Sequence, residues 1–124
     1  MGPGNDERGG SLAPCEDGTC PVARAVAVLD GKWTMLVIRD LLGGTKRFGE
    51  LRDSLAGISP KTLTDRLRQL EDAGIVERTM FAEIPPRVEY RLTEEGRSLE
   101  PVVGALATFG RALPAPSSPS PRRR

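Results

Sequence analysis

The stretch from Phe48 to Gly74 leaves this chain little freedom in what it can build. Ser59 followed by Pro60 is a helix start. The serine hydroxyl can accept from a first-turn N–H, and the proline, with no N–H of its own, suits the first helical position. Leu63, Leu67 and Leu70 then recur at i, i+4 and i+7 and mark one buried face, before Gly74 supplies a left-handed stop. Just upstream, Phe48, Leu51 and Leu55 sit at i, i+3 and i+7, a short helix that ends before Gly57. Only Ala56, Gly57 and Ile58 join the two helices, and so short a link holds the second across the first.

The flanking segments extend this pair in both directions. Pro21 opens a helix in which Val22, Val26 and Leu29 form an apolar stripe, broken at Asp30 and Gly31. A second helix is predicted from about Lys32 to Leu42, with Trp33, Leu36, Val37, Leu41 and Leu42 turned to a core and Gly43 and Gly44 closing it. Trp33 reads as core, with a ligand-pocket wall the weaker alternative. After Gly74, Ile75 to Phe81 begins as a strand, Pro85 and Pro86 fall in a loop, and the alternation of Val88 to Leu92 predicts a return strand. Thr93 can cap a helix whose first turn carries Glu94 and Glu95, the sign the helix dipole favours. Pro101 starts or kinks a last helix, along which Leu99, Val102, Val103, Leu106, Phe109 and Leu113 are apolar.

A chain of 124 residues supports one core, and the ends do not contribute to it. Residues 1–14 and the tail 114–124 (PAPSSPSPRRR) are too polar and too rich in turn formers to offset the entropy of ordering, so the folded domain is expected over 15–113. No signal sequence or membrane-spanning run is visible, which points to the cytoplasm, with nucleoid association if DNA is bound. There a pair of cysteines is expected as reduced thiols, and two cysteines without any histidine make no zinc module. No cofactor signature or phosphate-cradling loop is present, so neither an enzyme nor a metal or cofactor is expected. The formal net charge is only +1, so a phosphate-binding surface must come from segregation of charge.

Three helices, a tight helix pair and a hairpin in this order describe a mainly α (α+β) winged helix-turn-helix. Setting the leucines of the Ser59 helix inward leaves Lys61, Asp65, Arg68 and Gln69 opposite them, with Thr62 beside and Arg66 nearer the core edge. Ser59, Lys61 and Thr62 near the helix start can reach phosphate or base edges in a major groove. Lys46 and Arg47 in the turn before the short helix, and Arg87 displayed at a proline-stiffened wing tip, add cations for the backbone or the minor groove.

Three linked segments, CPVARAVAVLDGKWTMLVIRDLL, RFGELRDSLAGISPKTLTDRLRQLEDAGIVER and PPRVEYRLTEEGRSL, carry a resemblance over Cys20 to Leu113 to the HxlR-type winged-helix regulators. The resemblance implies a homodimeric bacterial transcription factor on a pseudo-palindromic operator in double-stranded DNA; repression is expected ahead of activation, and both stay open. Its first and last helices then pack between subunits, which places Val22, Val26, Leu99, Val102, Val103, Leu106, Phe109 and Leu113 at the dimer interface. In several members a cysteine at the position of Cys20 senses oxidants or electrophiles, and Cys15 is a candidate resolving partner. Two alternatives stay open: a winged-helix module that binds protein, and a regulator that answers a small-molecule ligand at the dimer interface.

Overall fold

The computed structural model describes residues 20–115. The segments expected to lack fixed structure, 1–14 and all of 114–124 but Pro114 and Ala115, lie outside the described residues, as does Cys15. In chain order the elements are α1 (Pro21–Leu29), α2 (Thr34–Leu42), β1 (Lys46–Arg47), α3 (Phe48–Ser54), α4 (Pro60–Asp72), β2 (Val76–Phe81), β3 (Arg87–Leu92), α5 (Glu94–Arg97) and α6 (Glu100–Arg111).

Local chemistry explains where α4 begins and ends. Ser59 Oγ accepts from the Thr62 N–H at 3.1 Å, and Pro60 stands in the first turn. At the other end Gly74 takes a positive φ of 79°. Its N–H donates to the Glu71 carbonyl at 3.0 Å and the Ile75 N–H to the Leu70 carbonyl at 2.9 Å, the paired bonds of a Schellman stop. The chain thereby reverses straight into β2, which packs against α4.

The three strands form an antiparallel sheet in the order β1-β3-β2. Lys46 pairs with Tyr90 and Arg47 with Glu89, so the basic segment read from sequence as a turn is a two-residue edge strand. Two residues carry no periodicity; the pairing with β3 decides their conformation.

Val37, Ile38 and Leu41 of α2, Leu51 of α3 with Leu55 after it, Ile58, and Leu63, Leu67 and Leu70 of α4 meet Val76 and Leu92 of the sheet in one buried cluster. Trp33 packs against this cluster half-buried. The buried Thr34 hydroxyl donates to the Asp30 carbonyl at 2.6 Å, which closes the turn between α1 and α2.

The two outer helices differ from this pattern. No residue of α1 is buried, and Val22 and Val26 face solvent. Along α6 the apolar side chains divide into two sets. Leu99, just before the helix, and Val103 pack against the chain's own core, whereas Val102, Leu106, Phe109 and Leu113 lie exposed. Of the interface set expected from sequence, Leu99 and Val103 are half-buried against the subunit's own core. The spacing 102, 106, 109, 113 forms a stripe of its own beside the one facing α2.

Candidate nucleic-acid interface

On α4 the leucines occupy the inner face, and the outer side chains are arranged as hydrogen-bonding and charged groups. Lys61 is 86% exposed at its side chain, and its Nζ donates to Asp65 Oδ2 at 3.0 Å. An exposed i, i+4 pair of this kind contributes ~0.5 kcal/mol, little enough for Lys61 to exchange Asp65 for a phosphate. Arg68 and Gln69 are exposed. Ser59 and Thr62 are already engaged with each other: besides the cap bond, Ser59 Oγ donates to Thr62 Oγ1 at 2.9 Å.

Arg66 turns away from this face. Its Nη1 donates to Gln69 Oε1 at 3.3 Å, and its Nε, buried with no partner among the described residues, rests beside Gly31 at the α1–α2 turn. There it forms part of the wall of a polar recess of about 640 Å³ between the end of α1 and α4, together with Asp30, Gln69 and Asp72. In this arrangement the Arg66 side chain lies against the α1–α2 turn.

At the end of α2, β1 brings Lys46 and Arg47 to the edge of the sheet, Lys46 half-buried and Arg47 exposed. The Arg47 N–H donates to Glu50 Oε1 at 2.7 Å and so begins α3, leaving the guanidinium outward.

Arg87 is placed differently from the sequence reading. It is the first residue of β3 and not the loop tip, with only 27% of its side chain exposed. Its guanidinium pairs with Glu83 at 3.0 Å and Glu89 at 3.1 Å and lies 4.0 Å over the Phe81 ring. The register that sets Phe81 opposite Arg87 creates this cage. The tip is formed instead by Ala82, Glu83, Ile84, Pro85 and Pro86, all exposed, with Ile84 fully so. The sequence reading passed over Ile84, although an isoleucine between a glutamate and two prolines in a loop has no internal partner to bury it.

Cys20 caps the start of α1 and is disulfide-bonded, where a reduced thiol was expected from the compartment. Among the described residues no helix is long and apolar enough to cross a membrane.

A tight helix pair, a capped helix with a polar outer face, and a two-stranded wing define a winged helix-turn-helix, the architecture of DNA-binding transcriptional regulators. The family model of the HxlR-like helix-turn-helix matches residues 28–117. The chain belongs to this family. An uncharacterised HTH-type transcriptional regulator of Synechocystis is 53% identical over 91 residues, which cover 73% of this chain and 67% of that protein. Among solved structures, a protein from Porphyromonas gingivalis assigned to the MarR family of transcriptional regulators superposes with a TM-score of 0.77 at 37% identity, covering 81% of this chain and 98% of that one. The oxidised form of the redox regulator HypR gives a TM-score of 0.73 at 41% identity, over 77% of this chain and 98% of that one.

Proposed function

We propose that the protein is a bacterial, cytoplasmic transcriptional repressor that binds a pseudo-palindromic operator as a homodimer, with α4 as the reading helix. The observation that carries this reading is the outward face of α4, where Lys61, Asp65, Arg68 and Gln69 stand opposite three buried leucines. Lys61 and Arg68 supply attraction to phosphates or guanine edges, Gln69 suits adenine, and Asp65 accepts from cytosine N4 while repelling phosphate. Thr62 has a hydroxyl to give once the duplex competes with Ser59, and Arg47 and Lys46 flank the groove from β1. Arg66 packs beside Gly31 in the α1–α2 turn and Arg87 keeps the wing in shape, so these two act by positioning.

Lys61→Ala tests the reading. On a fragment selected from the source genome, the variant is expected to bind about tenfold more weakly, and the slope of log K against log salt is expected to fall by about one unit. Binding of the wild type to operator no tighter than to random DNA at low salt would favour the protein-binding alternative.

Two subunits are required to read a two-fold operator, with reading helices ~34 Å apart along the duplex. The exposed faces of α1 and α6 supply the surface: Val22 and Val26 on one, Val102, Leu106, Phe109 and Leu113 on the other. Beside them an apolar recess of about 260 Å³ between α2 and α6, lined by Met35, Leu36, Val103 and Leu106, continues the same face. Side chains this apolar at the ends of a small domain are held more cheaply against a twin than in water.

A redox signal is favoured by one further observation, the disulfide at Cys20, which stands at the head of the α1 helix assigned to the interface. Oxidation of two thiols by a peroxide or a diazene oxidant removes two electrons and two protons and constrains the start of α1. Wild-type affinity for operator is expected to differ at least about fivefold between reduced and oxidised protein, the lower range of allosteric coupling. Cys20→Ser is expected to bind identically under both conditions, and equal binding by both states of the wild type would eliminate the thiol switch.

A further inference from the structure

The tip of the β2–β3 hairpin is apolar where a DNA-facing wing would be expected to carry a cation. Of the five loop residues Ala82 to Pro86, four are apolar, and Glu83 pairs with Arg87 at 3.0 Å. Met80 next to the loop is also more than half exposed, and Ile84 is the most exposed large hydrophobic side chain among the described residues. Arg87 is committed to Glu83, Glu89 and Phe81 and offers no free cation at the tip. Pro85 and Pro86 stiffen the loop, and the Glu83 N–H closes back on the Phe81 carbonyl at 2.9 Å. Ile84 is therefore held out in water by a rigid turn.

The position of that turn follows from element lengths. The chain reverses at Gly74, and β2 packs against α4. The 13 residues of α4 span about 20 Å. The six residues of β2 span about 20 Å in the opposite direction. The hairpin tip is thereby carried back toward the end of α4 that bears Ser59 and Lys61.

We propose that Ile84, and not Arg87, is the wing's contact with DNA: an apolar wedge, backed by Pro85, that enters the minor groove flanking each half-site and partly unstacks a base step. The inference rests on the DNA-reading role assigned to α4. Isoleucine, methionine and proline are among the side chains suited to such insertion, and Arg87 offsets one of the two negative charges that Glu83 and Glu89 place beside the tip. Pyrimidine–purine steps yield most easily, so the wedge adds a preference for TA or CA/TG steps at positions the reading helix never touches.

The test compares wild type, Ile84→Ser and Arg87→Gln on a selected operator with 2-aminopurine placed in the flanking step. A fully exposed side chain can be changed without disturbing the core. Wild type is expected to raise the 2-aminopurine fluorescence on binding. Ile84→Ser is expected to lose that rise and about tenfold in affinity, with the salt slope unchanged because no phosphate contact is lost. Replacing the flanking TA step by an A-tract is expected to weaken wild type and leave Ile84→Ser unaffected. Equal affinity and fluorescence for wild type and Ile84→Ser would overturn the wedge alone. A fall of one unit in the salt slope for Arg87→Gln would return the contact to the arginine. Normal DNA binding by Ile84→Ser with lost control of transcription would assign the tip to a protein partner and overturn the wedge. Failure of wild type itself to select any operator would overturn the reading-helix assignment as well.

Discussion

Gly96→Ala is expected to lower the stability of the domain by ~3 kcal/mol, toward the upper end of what overpacking costs. With a urea m-value of about 1.5 kcal/mol/M, the unfolding midpoint then falls by about 2 M. Gly96 sits in α5 with its Cα against the backbone where α4 turns into β2. A methyl group there would strike the Ile75 carbonyl oxygen and come within 3.0 Å of Leu92 Cδ2 and 3.2 Å of Ile75 Cγ2. The carbonyl cannot retreat cheaply, because it accepts the Thr93 N–H at 2.9 Å and belongs to the residue whose own N–H closes the α4 stop. Thr93 adds to the constraint: its Oγ1 donates to the Gly74 carbonyl at 2.6 Å and accepts the Gly96 N–H at 3.1 Å. Against a typical margin of ~5–15 kcal/mol, such a loss leaves a marginal protein. Gly104→Ala on α6, where an added Cβ meets nothing within 4 Å, is the control and is expected to be neutral or to stabilise by up to ~1 kcal/mol. Equal midpoints for Gly96→Ala and wild type would show that the turn gives way more easily than its hydrogen bonds imply.

The same junction shows which parts of the fold were legible from residues alone. Ser59, Pro60 and Gly74 act through bonds with near neighbours or through their own φ, as Thr93 does in capping the Gly96 N–H, so these effects are written in the local sequence. The leucine face of α4 is legible for the same reason, since helical periodicity converts spacing directly into burial. Long-range partners were not legible. β1 exists because Lys46 and Arg47 meet Tyr90 and Glu89, more than forty positions away in the chain. Arg87 is caged because the hairpin register sets Phe81 across from it, beside the carboxylates of Glu83 and Glu89 near it in the chain, and no count of prolines in the loop reveals that register. Leu99 and Val103 separate from Val102, Leu106 and Phe109 only when α2 is laid against one side of α6. Of the candidate site, the outward face of α4 stood in the sequence, whereas the tethering of Arg66 beside Gly31 and the apolar wing tip needed the third dimension.

The exposed stripe of α6 makes the second large prediction. Phe109 is 66% exposed, and the proposed homodimer would bury it against the twin subunit. Aromatic side chains of this kind are common interface hot spots, where truncation alone costs 2 kcal/mol or more by typical measure. Phe109→Glu removes the ring and also asks for burial of an unpaired carboxylate, so dimer affinity is expected to fall at least about hundredfold, or ~3 kcal/mol. The fold should survive: the change costs ~0.5 kcal/mol at the acid-averse end of a helix, and no core contact is lost. Sedimentation then reports a monomer at concentrations where wild type is a dimer, with the urea midpoint extrapolated to the monomer nearly unchanged. Operator binding carries the functional consequence. Two half-sites one turn apart are gripped as a unit only if the subunits are joined, so the variant is expected to bind a full operator no better than a half-site. It should also be indifferent to 5 base pairs inserted between half-sites, a half-turn that misaligns the wild-type reading helices. If Phe109→Glu remained dimeric and kept its preference for correctly spaced half-sites, the twin-subunit contact would have to lie elsewhere than on α6, and the exposed stripe would need another partner.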